Sequence, residues 1–121
     1  MDVRFHCSKR VRQSGKKAKH RVFDACPTVC RVLRLQPYYG ESIPGFHDLR
    51  KMRLRVPGYP VGKRDGYRLI YRAKEMDQAV HVVLMETYSK SDYADLTRAE
   101  YKALVSEADA ILAQPLLHDW E

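Results

Sequence analysis

The strongest chemical signal in this sequence is a set of cations: Lys51, Arg53 and Arg55 at alternate positions of LRKMRLRV, Arg68 in GYRLIY, and Lys90 in TYSKSD, with Tyr88 and Tyr93 beside the last. A period of two puts Lys51, Arg53 and Arg55 on one face of a strand. A second strand turning back brings Arg68 alongside them, and Lys90 stands where a third strand ends. Such a concave cationic cluster attracts a polyanion: nucleic acid, an acidic protein or an anionic membrane surface. The blander reading is that alternate lysines and arginines solvate an open sheet face or protect it from edge pairing. No acid is interleaved between Lys51 and Arg55, which counts against that reading, because like charges at i and i+2 repel and an indifferent surface mixes signs.

The charge balance of the whole chain points the same way. Of its formal +7, residues 1–36 hold ten lysines and arginines against two acids, residues 37–75 nine against four, and residues 76–121 three against nine. With 121 residues, 45% hydrophobic and 31% charged, the chain reads as one globular domain, residues 1–121, ending in a short tail at 116–121. No apolar run approaches the roughly 20 residues of a membrane span. Charges interrupt MDVRFHCSKR before a signal-peptide core can form, so the expected location is cytoplasmic.

The elements that must position the cluster follow from pattern. Val3, Phe5 and Cys7 alternate as a short strand, and Ser8 can cap a helix. Apolar residues at helical spacing from Val22 to Leu33, punctuated by Gly15 and Pro27, predict a short basic helix before Gly15 and a kinked helix or two pieces between Lys16 and Leu35. QPYYGESIPGFHD reads as a loop. Strands are expected at Leu49 to Val56, with Met52, Leu54 and Val56 opposite the cations, at Tyr67 to Arg72, and at Ala79 to about Tyr88. The last is apolar on both faces and therefore central. Thr97 and Glu100 form a capping box, opening a helix from Arg98 to Gln114 whose stripe of Tyr101, Leu104, Val105, Ala108, Ile111 and Leu112 packs on the sheet. The order implies an α+β layer fold.

Other residues invite lesser readings. His6, Cys7, Cys26 and Cys30 lack paired metal-ligand spacing, so buried reduced thiols are expected rather than zinc. His47 beside the basic strand has no named partner. Glu86 alternates with Tyr88 and Lys90 and is expected to be their ion-pair partner.

The pieces PYYGESIPG, LRKMR, GKRDGYRLIY, YSKSD and DLTRAE, in this order and spacing over about residues 36–105, resemble the RelE/ParE superfamily of toxin–antitoxin toxins, HigB-like members in particular. The resemblance implies an α+β, RelE-like (microbial RNase-like) fold with an antiparallel sheet of about four strands, N-terminal helices and one C-terminal helix. It implies a ribosome-dependent mRNA endonuclease that cuts in the ribosomal A site and inhibits translation, without metal or small-molecule cofactor, and is held inactive by a cognate antitoxin. ParE-like relatives instead inhibit DNA gyrase, and a member that only binds a partner is a third reading. Carried over by motif, Lys51, Arg53, Arg68 and Lys90 are the catalytic set, with Arg55, Tyr88 and Tyr93 on the RNA. Arg68 would stabilise the transition state and Lys51 would be the base, its pKa lowered by Arg53, Arg55 and Arg68. No histidine stands near Lys90, so the acid for the leaving group stays open among Lys90, Tyr88 and Tyr93.

Overall fold

The computed structural model describes residues 2–11, 26–54, 67–89 and 95–113. In chain order these form β1 (Asp2–Cys7), α1 (Cys26–Leu35), β2 (Glu41–Ile43), β3 (Phe46–Leu54), β4 (Tyr67–Met76), β5 (Ala79–Ser89) and α2 (Arg98–Leu112), with residues 9–11 also helical. The strands make one sheet in the order β1-β5-β4-β3-β2.

The α+β layer plan and the three consecutive strands are as the pattern requires, but the sheet has five strands where about four were expected, and it is mixed. β2, β3, β4 and β5 are antiparallel neighbours, whereas β1 lies parallel to β5, pairing Asp2 with Ala79 through Cys7 with Leu84. The additional strand is β2, inside the segment read as a loop. Pro44 and Gly45 join Ile43 to Phe46 in a tight turn, Gly45 taking a φ of 82°. Proline presets the first central position of such a turn and glycine alone enters the left-handed second one freely. β4 runs on to Met76 rather than stopping at Arg72, because Asp77 and Gln78 both take positive φ (52° and 65°) and close a two-residue hairpin. That turn matches the twist of the flanking strands.

The sheet is apolar on both faces. One face joins Phe5, Leu54, Leu69, Tyr71, Val82 and Leu84 to Val29, Cys30 and Leu33 of α1. Pro27 falls in the first turn of α1, where a missing N–H costs nothing. The other face sets Leu49, Ile70, Val83 and Met85 against Tyr101, Leu104 and Ala108 of α2. Burying each large apolar side chain here contributes about 1.5–3 kcal/mol. α2 starts as read: Thr97 Oγ1 accepts from the Glu100 amide at 3.2 Å, and Glu100 Oε1 accepts from the Thr97 amide at 2.9 Å. Its apolar stripe is also as read, though the helix ends at Leu112. Ser8 acts as a cap too, taking the Val11 amide at 3.2 Å and donating to the Met85 carbonyl at 2.7 Å. Among the described residues no helix is long and apolar enough to cross a membrane.

Candidate active site

Register brings the cations together. Across β3, β4 and β5 on the α2 side of the sheet, Arg53 faces Arg68 and Arg68 faces Tyr88; one pair further along, Lys51 faces Ile70 and Ile70 faces Glu86. Leu54 is buried on the opposite face and Met52 packs beside it, so β3 divides its side chains as alternation demands. α2 covers only part of this face. Its N-terminus lies beside Lys51, and beyond it Arg53 is exposed while Arg68 is buried to 7% exposure.

The link between helix and cluster is Asp95, two residues before the Thr97 cap. Its Oδ1 accepts the Tyr101 hydroxyl at 2.5 Å, the Leu96 amide at 2.8 Å and the Lys51 Nζ at 3.3 Å. Partial burial alone would lift this carboxyl, but the bonds from Tyr101 and Leu96 and the Lys51 ammonium outweigh it and hold Asp95 below the ordinary range. Burial and then Asp95 push the Tyr101 hydroxyl far up. Burial also raises Tyr88, an effect that Lys51 only partly offsets. Both hydroxyls therefore stay protonated at neutral pH.

β2 ends opposite Lys51, so the groove beside it reaches past the rim of β3. It has a volume of about 840 Å³ and is lined by Lys51, Arg53 and Arg68, by Met52, Val29 and Val32, and by Tyr39, Gly40 and Glu41. This combination of a cation cluster, a mostly antiparallel sheet with α2 across one face, and α1 on the other can be set against solved structures. The chain is similar to the E. coli toxin RelE, in a variant with two arginines replaced by alanine, in the free state, with a TM-score of 0.53 and 20% identity over 96% of this chain and 100% of that one. The fold is RelE-like. No protein-family model and no curated protein matches the chain.

Within the RelE-like fold, Lys51, Arg53 and Arg68 line one groove, as the alternation and the returning strand required. Arg55, Lys90 and Tyr93 lie outside the described residues. Tyr88 is a correction: its ring is packed in the core under α2 at 4% exposure and its hydroxyl is buried with it, which closes it to stacking on a base. Glu86 is another. Its described partner is Arg10, at 3.5 Å, which also binds Glu107 at 2.7 Å, and burial raises the Glu86 carboxyl despite Arg10 and the Thr87 amide. The expectation for Lys51 placed only like charges around it, whereas Asp95 is a counterion 44 residues away in sequence. His6 and Cys7 point to opposite faces of β1. Cys7 and Cys30 are buried thiols on the α1 side, while His6 Nε2 meets His81 Nδ1 at 3.0 Å on the other, so His6 does not share a face with those two thiols; the side chain of Cys26 lies outside the described residues. Burial raises the Cys30 thiol, more than Arg34 lowers it, which leaves it unreactive.

Asp95 and Tyr39 were missed by sequence reasoning. DLTRAE marked Asp95 only as lying near a cap. Tyr39 sits in a segment read as a loop, where nothing short of the fold ties it to the cations.

Proposed function

We propose that this protein is a toxin of a toxin–antitoxin pair that stops translation by cutting mRNA on the ribosome. The observation that carries the reading is the pair Arg53 and Arg68, adjacent across two strands and joined by Lys51 on the wall of one groove, in a fold shared with the toxin RelE. Two guanidiniums and an ammonium converging on a groove suit the crowded negative charge of a phosphodiester at the point of cleavage. In this reading the ribose 2′-oxygen attacks the neighbouring phosphorus as its proton leaves, a 2′,3′-cyclic phosphate forms, and the 5′-oxygen departs with a proton.

Arg68 is the transition-state clamp, since its planar fork can hold two phosphate oxygens and never loses its charge. Arg53 adds charge from the solvent side. Lys51 is the candidate for receiving the 2′-hydroxyl proton, which requires that its amine first part from Asp95. With the Tyr88 hydroxyl buried, Lys90 and Tyr93 are the candidate acids for the departing 5′-oxygen. An antitoxin that covers this basic face would silence it.

The test is a translation reaction in vitro with mapping of mRNA ends. Arrest with new ends inside codons on the ribosome, lost in Arg68→Ala, is the expected result. Gyrase-linked DNA breaks with translation intact would instead make the protein a gyrase inhibitor.

A further inference from the structure

A lysine carries its charge at the end of a flexible stem, whereas an arginine carries it in a rigid planar fork. On the α2 face of the sheet the neighbours of Lys51 are Arg53, two residues along β3, and Arg68, diagonally across on β4. Both are cations, and like charges drive a mobile ammonium outward into water. Something must oppose that drift if the amine is to stay beside the two guanidiniums. Glu41 is the register partner of Lys51 on β2, yet the described ion pair of Lys51 is with Asp95, at 3.3 Å.

Asp95 is fixed without help from Lys51. Its Oδ1 accepts the Tyr101 hydroxyl at 2.5 Å and the Leu96 amide at 2.8 Å, both shorter than the bond from the Lys51 amine. Tyr101 is itself held in the core between α2 and the sheet, 5% exposed, with its ring 5.5 Å from that of Phe46. The carboxylate therefore belongs to the start of α2, the amine belongs to the sheet, and the contact between them is the one that can open. Two properties suit such a hold. Against the lift from partial burial, the bonds from Tyr101 and Leu96 and the Lys51 ammonium keep Asp95 below the ordinary carboxyl range, so it is ionised throughout the neutral range. The pair is also open to water, the Asp95 side chain being 55% and that of Lys51 26% exposed, and an ion pair so exposed adds little stability and is easily released. What it governs is where the amine stands.

We propose that Asp95 is a positioning residue: anchored to α2 by Tyr101 and the Leu96 amide, it keeps the Lys51 amine on the cationic face beside Arg68 and yields it when the phosphate of a bound RNA takes its place as the counterion. The inference rests on the nuclease reading and adds to it a residue that acts on the reaction only through Lys51.

The experiment measures kcat and KM for cleavage of mRNA on programmed ribosomes, alongside thermal melts of the purified variants. Asp95→Asn keeps an oxygen for Tyr101 and Leu96 and removes only the charge that faces Lys51. It should lower kcat about ten-fold, within the range that misplacing a reacting group costs. KM should not rise, because the face has lost an acid that opposes RNA. Asp95→Glu restores the charge and should recover most of the loss. Tyr101→Phe keeps the ring in the core but frees the carboxylate to turn, and should give a smaller fall in kcat than Asp95→Asn. Arg72→Ala is the control for loosening of α2: it should melt lower than Asp95→Asn and still cleave at the parent's kcat. Parental kcat in Asp95→Asn or Tyr101→Phe, a glutamate variant as slow as the asparagine one, or an equal fall in Arg72→Ala overturns the positioning role, while loss of cleavage in Arg68→Ala keeps the nuclease reading. A parent that cuts no mRNA overturns both.

Discussion

Arg68 and Arg72 lie four residues apart on β4, point to the same face of the sheet and are both buried. They have opposite surroundings. Arg72 ends between two carboxylates, Asp109 of α2 and Asp48 of β3, the latter at 3.5 Å, under the closed part of the helix. Arg68 faces a second arginine on β3 and a tyrosine on β5, where the helix has ended and the groove begins. The same side chain on one strand is therefore held between carboxylates at one end of α2 and set against Arg53 on the wall of the groove at the other. Burial does not distinguish them; the groups they face do.

The largest effect expected is on activity at the open end. Arg68→Ala should lose several kcal/mol of transition-state stabilisation, on the order of 100-fold or more in cleavage rate, with its melting temperature within a few degrees of the parent. Arg68→Lys should rescue only partly, since an ammonium lacks the two-pronged contact. Growth arrest on induction and melts of the purified variants measure both. If Arg68→Ala remains fully toxic and folded, the two arginines do not differ in kind.

At the closed end the prediction reverses. Arg72→Ala removes charge-assisted hydrogen bonds from a buried site and should cost about 2–3 kcal/mol, a fall on the order of 10 °C, while the groove residues keep their places. Arg72→Met should recover much of that loss, because filling the volume with an apolar chain replaces a costly buried charge. A melt of Arg72→Met as low as that of Arg72→Ala would contradict this account.

A scan of stability against pH sharpens the comparison with carboxylates instead of arginines. Asp95 has a depressed folded pKa, so its contribution is present above its ordinary value of 3.8 and disappears as pH falls through the lower folded value. Glu86 is raised above its ordinary 4.5, so its contribution is complete below that value and is lost as pH rises through the folded value. Asp95→Asn should flatten the acid limb of the melting curve. Glu86→Gln should remove the gain in stability seen on acidifying from neutral. Smallest of all, Thr97→Ala should cost about 1 kcal/mol through loss of the cap, read as a modest fall in the melting temperature, and should disturb the open end more than Arg72, since the cap stands two residues from Asp95.

What was legible in the sequence follows the range over which each signal acts. The cap at Thr97, the stripe of α2 and the alternation of β3 are local, and each is found where pattern put it. The Ile43–Phe46 hairpin was also local, with Pro44-Gly45 as its mark, yet three-residue β2 is too short for alternation to show. Asp77-Gln78 gives no such mark, because neither is the glycine that a left-handed turn favours. Long-range pairings left no trace: the parallel seat of β1 on β5, the Asp95 partner of Lys51, and the bond from the Gly40 amide to the Tyr71 hydroxyl each join residues that only the folded sheet brings together. The cations could be grouped because register between neighbouring strands follows from alternation. The carboxylates around Arg72 could not.

The parallel pairing of β1 with β5 has a consequence for the order of folding. His6 and His81, 75 residues apart, meet across that seam, and every β1 residue finds its partner between Ala79 and Leu84. β1 therefore waits for its partner while β2, β3 and β4 are made, and loops of that span close late and at an entropic cost. β3, β4 and β5 can assemble by neighbouring turns, but the α1-side core keeps an open edge until β1 docks. The sheet is therefore incomplete until β5 has been made, and slowing β1 docking, for instance by Phe5→Ala, should delay the final folding phase while leaving the earlier hairpin phases unchanged.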